Sequence, residues 1–345
     1  MAKRATLRDV ATEAGVSAVT VHKVLYDKEG VGAETRKKIL AIARDMEYSV
    51  NEAASSLKRK ALRIAVIFQS MSSSQNFFFR KMWDGVDKAE QKLNDYRVQV
   101  TRLACGGEWE SQERILYDIA KQGDEDGVVL HCWDETRLNP AIDYLSDKGI
   151  PVVTVNSDAI GSKRVMLVSA PNGRIGKLAA EMLGRLIPDG GKVLVAGGHE
   201  MAENARENRR GFQSYLKMCR PETSVTELYN FGDGEKFLAE LASSIKALTD
   251  MTGLYAITAR DTYSACAVVR SLGMSGRIKV IGSDAFAELG SFFDDGTLHA
   301  SIWKDPESQA EQAIFLLYHY LSGRPMSVEP IKTGIIMKNN LEDYL

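Results

Sequence analysis

Apolar positions recur at helical spacing in three short blocks over the first sixty residues. Leu7, Val10, Ala11 and Ala14 stand at i, i+3, i+4 and i+7, and Thr6 is placed as their N-cap. Gly15 closes the block. After only Gly15-Val16, Ser17 caps a second block, Ala18 to Leu25, whose inner side is predicted to carry Val21, Val24 and Leu25. A third begins near Ala33 behind Gly32, with Ile39, Ile42, Ala43 and Met46 in the same spacing. Helices joined by so tight a turn must cross steeply, which predicts a helix-turn-helix whose second helix is free to enter a major groove. Its outward face carries Ala18, Val19, His22 and Lys23, with Thr20 between them. Lys23 can donate to guanine O6 and N7, Ala18 and Val19 can meet thymine methyls, and the free amides beside Thr6 and Ser17 suit phosphates. The same periodicity also fits a three-helix packing module with no DNA role.

Behind this head, Asn51 is placed to cap a short helix over Glu52-Ala53-Ala54-Ser55-Ser56-Leu57-Lys58, marginal in isolation at barely two turns. From Leu62 the pattern changes. Apolar runs at Ile64–Phe68, Val98–Leu103, Gly127–His131, Val152–Val155, Val165–Val168, Val193–Ala196, Leu254–Thr258 and Val280–Ile281 predict strands. Amphipathic stretches at Phe77–Leu93, Arg114–Lys121, Ile175–Leu186, Arg210–Lys217, Phe237–Leu248 and Tyr263–Leu272 separate them. Strands alternating with helices predict α/β units with parallel sheets covered on both faces. Ligands in such units sit beyond the carboxyl ends of the strands.

Length and charge sharpen the picture. A chain of 345 residues exceeds what one core usually organises. The net charge of -2 is unevenly spread: residues 1–60 hold 12 Lys/Arg against 8 Asp/Glu, and the remainder 32 against 38. A basic head on an acidic body fits a head that meets a polyanion. Cys105, Cys132, Cys219 and Cys266 lie far apart without C-x-x-C spacing, so reduced thiols are expected and no metal. The opening MAKRATLRDV has no apolar segment of a secretory signal, and no run is long enough to span a bilayer, so a cytoplasmic location is expected. No G-x-x-x-x-G-K-[ST] loop or G-x-S-x-G elbow occurs, Gly197-Gly198-His199 is not a dinucleotide fingerprint, and the five histidines are scattered. Neither an enzyme nor a bound cofactor is expected, and each lone histidine reads as structural.

The series TLRDVATEAGVSAVTVHKVL, VGAETRKKILAIARDMEYSVN and AASSLKRK resembles the headpiece and hinge of the lactose-repressor (LacI/GalR) family. The resemblance implies a homodimeric repressor on a palindromic operator, with Ala18, Val19 and Lys23 reading bases. It also implies a hinge helix in the minor groove, where Ala54 allows close approach of two copies, Leu57 wedges a base step and Lys58 attracts phosphate. Three departures stand out: His22 for the usual Ser, Tyr26 for Asn, and Val50 for the Pro before the hinge. The boundaries read as 1–49 headpiece, 50–61 hinge and 62–345 effector domain.

The body is similar to the class I periplasmic sugar-binding fold, two doubly wound subdomains placed at about 62–158 plus 306–328 and 159–304 plus 329–345. The resemblance rests on Asn76 with Phe78-Phe79, Ala205-Arg206-Glu207, Asp261, Gly282-Ser283-Asp284 and Ile302 through Pro306. It implies a sugar or sugar derivative in the cleft between them. Asn76 is a hydroxyl partner and Phe78 and Phe79 a stacking platform, since three consecutive rings at 77–79 cannot all face one core. Arg206 is expected to reach a ring or hydroxyl oxygen. Asp261 is either an acceptor for the ligand or the N-cap of the Tyr263 helix. Asn156-Ser157 replaces a usual Asp-Arg, and Lys304 replaces a usual Gln. Both changes predict a more positive cleft and a ligand bearing a carboxylate or phosphate. Trp133 and Trp303 fit either the cleft or the interior. A transporter's solute-binding component and a sugar-modifying enzyme are the rival readings, and induction and co-repression are equally open.

Overall fold

The computed structural model describes residues 5–26, 28–46, 48, 60–71, 76–248 and 250–345. The expected hinge, with Ala54, Leu57 and Lys58, lies outside the described residues.

The head is three helices: α1 (Leu7–Ala14), α2 (Ala18–Leu25) and α3 (Ala33–Asp45). Thr6 caps α1 in a reciprocal box with Asp9, and Ser17 caps α2 by accepting from the Thr20 amide at 3.1 Å. Gly15 ends α1 at φ 69°, a left-handed conformation that costs a residue without a Cβ little. Val10, Ala11, Ala14, Val21, Val24, Ile39 and Ala43 form one buried cluster. Three helices this short are held by that cluster and their caps rather than by propensity.

The body contains two sheets. The first has the order β2-β1-β3-β4-β5, all parallel, built from β1 (Leu62–Gln69), β2 (Val98–Cys105), β3 (Gly127–Leu130), β4 (Val152–Val155) and β5 (Met166–Val168). The second is ordered β11-β10-β9-β8-β6-β7, from β6 (Lys192–Ala196), β7 (Ser224–Leu228), β8 (Met251–Ala256), β9 (Lys279–Ser283), β10 (Leu298–Trp303) and the antiparallel edge strand β11 (Gly334–Ile336). Every residue of β3 and β4 is buried, as expected where helices cover both faces. β7, β10 and β11 are additions to the strands read from the sequence. Among the described residues no helix is long and apolar enough to cross a membrane.

The chain passes between the two units three times. β5 pairs with β4, so residues 159–168 belong to the first unit and the first crossing falls at 169–171, not after 158 as the sequence pattern suggests. The short β5 has only three residues, and its membership is decided by pairing rather than by pattern. The second crossing follows β10. It leads into the Pro306–Leu321 helix, which packs back on the Phe77–Leu93 helix of the first unit. The third lies in 322–333 and returns the chain to β11. The second unit's helices Asn172–Leu186 and Glu203–Cys219 touch backbone to backbone. A Cβ on Gly176 would overlap the Asn208 carbonyl, and one on Gly211 would overlap the Gly173 carbonyl.

Candidate functional site

A cleft of about 470 Å³ opens where the carboxyl ends of the strands of both sheets face each other. Each wall is made by the residues that follow a strand, because there the backbone leaves the ladder and side chains are free to turn into the gap. From the first unit come Asn76, Phe78 and Phe79 after β1, His131 to Asp134 after β3, and Asn156-Ser157 after β4. From the second come Gly198 and His199 after β6, Asn204 and Asn208 on the Glu203–Cys219 helix, Ile257 to Asp261 after β8, Asp284 after β9 and Lys304 after β10.

Asn76, Phe78, Phe79, Asn156, Asp261 and Lys304 therefore all line the cleft. Phe78 and Phe79 meet edge to face at 5.7 Å, and Phe79 stands against His131 at 4.8 Å, with Trp109 and Trp133 on the same wall. Trp303 instead packs on Tyr344 at 5.6 Å. Asn76 Nδ2 is already committed to the Ser70 carbonyl at 2.6 Å. Asn156, held at φ 63°, links the two units by accepting from Asn204 Nδ2 at 3.1 Å. The N-cap of the Ala259–Ser271 helix is Thr258, which removes that role from Asp261. The Asp261 carboxylate accepts from the Gly198 amide (2.8 Å), Thr258 Oγ1 (2.6 Å) and Asn230 Nδ2 (2.7 Å), so it fastens three loops of the second wall.

Two expectations are corrected. Arg206 does not line the cleft. Its guanidinium turns to Glu203 (2.6 Å), to Glu135 (3.4 Å) and to the Glu200 and Met201 carbonyls, because local acceptors at the helix start out-compete an open cavity. Lys304 is not a free cation either. Its Nζ donates to the Ile257 carbonyl at 2.6 Å and stands 3.4 Å from Asp284, and both side chains are almost fully buried. The cleft lining holds Arg137, Arg260 and Lys304 against Asp134, Asp261 and Asp284, so the basis for an electropositive cleft is gone.

Sequence reasoning missed His131 and Asn208 as cleft residues, and it named Asp284 only within the Gly282-Ser283-Asp284 match, with no ligand role. His131 is buried, and burial pulls its imidazole down to about 4, so the ring is neutral near pH 7. Its Nδ1, the Asn208 Nδ2 and both Asp284 oxygens have no hydrogen-bond partner among the described residues. Burial raises the Asp284 carboxyl above its ordinary value even with Lys304 beside it. The signal that could have found two of them is position: His131 and Asp284 each directly follow a buried parallel strand.

In the head, Val19 is 66% exposed and Ala18, Thr20, His22 and Lys23 are half-buried along the outer side of α2. His22 in this helix and Tyr26 just after it, two of the departures, stack on each other at 4.3 Å. Thr6 and Ser17 both spend their hydroxyls on capping.

The profile of the periplasmic binding protein domain matches residues 66–325, and that of bacterial regulatory proteins of the lacI family matches residues 6–51. The chain belongs to the periplasmic binding protein domain family and carries a lacI-family headpiece. The HTH-type transcriptional repressor PurR of Vibrio vulnificus is 30% identical over 218 residues, which span 62% of this chain and 61% of the repressor. This lacI-type chain thus aligns with about three fifths of that relative's length. The D-ribose/D-allose-binding protein of Pseudomonas aeruginosa is 26% identical over 73% of the chain and 79% of that protein. Among solved structures, a solute-binding protein of Burkholderia graminis in complex with D-arabinose superposes with a TM-score of 0.75 at 20% identity, covering 83% of this chain and 99% of that one. The glucose-galactose binding protein GanP of Geobacillus stearothermophilus gives 0.72 at 23%, over 82% and 99%. Both families are, in general, families of regulators and binding proteins rather than of enzymes.

Proposed function

We propose that this chain is a DNA-binding transcriptional repressor, working as a homodimer in the cytoplasm, whose grip on a palindromic operator is set by a neutral, hydroxyl-rich ligand such as a sugar in the cleft. It catalyses no reaction. The observation that carries the ligand reading is the set of buried polar atoms without a hydrogen-bond partner among the described residues that line the gap: His131 Nδ1 from one unit, Asn208 Nδ2 and Asp284 Oδ1 from the other, beside the Oδ2 that pairs with Lys304. Buried polar atoms left unpaired cost about 1–3 kcal/mol each. A polyol supplies hydroxyls that donate to Asp284 and accept from Asn208 while its apolar face lies on the Phe78, Phe79 and Trp109 rings. The balance of charges in the cleft supports a neutral ligand over the carboxylate or phosphate expected from the sequence. Arg260 is the cleft cation without an ion-pair partner among the described residues, and a sugar acid would be read there.

Ligand affects DNA through its different affinity for the open and closed arrangements of the two units, which the chain transmits to the headpieces. The test pairs a thermal-shift screen of neutral sugars, sugar acids and sugar phosphates with an electrophoretic mobility shift on palindromic duplex. A neutral sugar should raise the melting temperature more than its acid or phosphate form and should change the shifted fraction. Tighter binding of the charged form would refute neutrality. Failure to shift any duplex at low salt would refute the regulator.

A further inference from the structure

The residue that opens the Phe77–Leu93 helix belongs by sequence to the first unit and by packing to the second. Phe77 is 4% exposed, yet the buried cluster that holds it is otherwise built from second-unit residues. Its ring stacks on Phe286, after β9, at 4.0 Å with planes 11° apart, and meets Tyr263 of the Ala259–Ser271 helix at 5.9 Å. Successive helical positions point about 100° apart. Phe78 and Phe79 can therefore face the cleft only if Phe77 is turned elsewhere, and here that direction leads into the opposite subdomain. A second contact crosses the gap near the helix that begins at Glu203. Glu135, from the loop after β3, is 8% exposed; its carboxylate accepts from the Glu203 amide at 2.7 Å and pairs with Arg206. A carboxylate there meets free amides and the positive end of a helix dipole. Both contacts are made between protein groups alone.

We propose that Phe77 and Glu135 are closing latches: protein–protein contacts that favour the closed arrangement of the two subdomains in their own right. The effector then acts on an equilibrium already biased toward the closed arrangement. This also accounts for Arg206, which serves the closure and not the ligand. Opening would expose the Phe77 and Phe286 rings to water and strip Glu135 of its backbone donor, so the latch resists opening from both ends. The inference rests on the effector-cleft reading, but its test uses no ligand, so the two can fail separately.

The experiment measures the ligand-free chain. In a Cys219→Ser background, which removes the exposed thiol and leaves the buried Cys105, Cys132 and Cys266, cysteines replace the exposed Glu110, next in sequence to the cleft residue Trp109 of the first unit, and the exposed Glu235, three residues after the cleft residue Gly232 of the second. Spin labels on them report the distance across the gap, with labelled chains diluted into unlabelled ones. The parent should populate mainly the short distance. Phe77→Ala, and independently Phe286→Ala, should lower the closed-to-open ratio roughly tenfold, the factor expected for losing one good aromatic pair. Circular dichroism establishes that each variant is folded, and Glu135→Ala, which leaves the aromatic cluster intact, should widen the distribution in the same direction. A ligand-free parent that is mainly open would overturn the proposal. So would folded variants whose distances superpose on the parent's.

Discussion

Replacing Lys304 with methionine isolates the buried ion pair that structure, and not sequence, assigned to this position. Methionine keeps the length of the chain and removes the ammonium. At 3.4 Å, with an effective dielectric of about 20, the attraction to Asp284 is about 5 kcal/mol. Breaking a buried pair usually costs about 3–5 kcal/mol, because the surviving charge is left alone in the interior. Asp284 has one escape, which is to take up a proton. Against an ordinary carboxyl value of 3.8, neutralising it costs about 4 kcal/mol at pH 7 and about 1.6 kcal/mol at pH 5. The penalty is thus capped, and the cap falls with pH. The sign follows from linkage: a carboxyl raised in the folded state binds protons better there than in the unfolded chain. Its cost is absent below the unfolded value and grows as pH rises through the folded one. Urea unfolding of Lys304→Met should show a deficit of about 3 kcal/mol at pH 7, shrinking to about 1 kcal/mol at pH 5. Adding Asp284→Asn should recover at least half of the loss at pH 7. A variant as stable as the parent at pH 7, or a deficit unchanged by acid, would refute the pairing.

Two further outcomes are expected. His131, neutral and buried, titrates near 4 when folded and at 6.5 when unfolded, so it weakens the fold as pH falls from 6.5 toward 4. His131→Gln should make unfolding less acid-sensitive by about 2 kcal/mol between pH 7 and pH 4.5, and parallel stability–pH curves for the two proteins would count against it. Gly211→Ala places a methyl group on the Gly173 carbonyl and should lower stability by about 3 kcal/mol, read as a drop in melting temperature; an unchanged melt would mean that the two helices are not in backbone contact.

Much of this protein was legible in its residue order, and the reason is that the legible features are local. Capping depends on residues three apart, which is why Thr6 and Ser17 mark the starts of α1 and α2 through their immediate neighbours alone. The Phe77–Leu93 helix has the bounds its amphipathic pattern predicts. The apolar runs of β1, β3, β4 and β6 announce parallel strands buried on both faces. The strand ends pointed to the loops where ligands gather, and the resemblance to the class I periplasmic sugar-binding fold supplied the six expected residues that line one cleft there.

What the order of residues left open was every choice between partners distant along the chain. β7, β10 and β11 have weak patterns and exist through the neighbours they pair with. Arg206 and Lys304 are cations that sequence can place near a cleft, but a flexible cation goes to the nearest acceptor. Glu203 is a helical neighbour of Arg206, but only the fold puts Glu135 beside Arg206 and Asp284 beside Lys304. Phe77 is the sharpest case: its neighbours decided that it could not share their direction, and tertiary packing decided that it would cross into the opposite subdomain. Periodicity is set by bonds within one segment, whereas charge pairing and closure are set by distances between segments, which no spacing along the chain encodes.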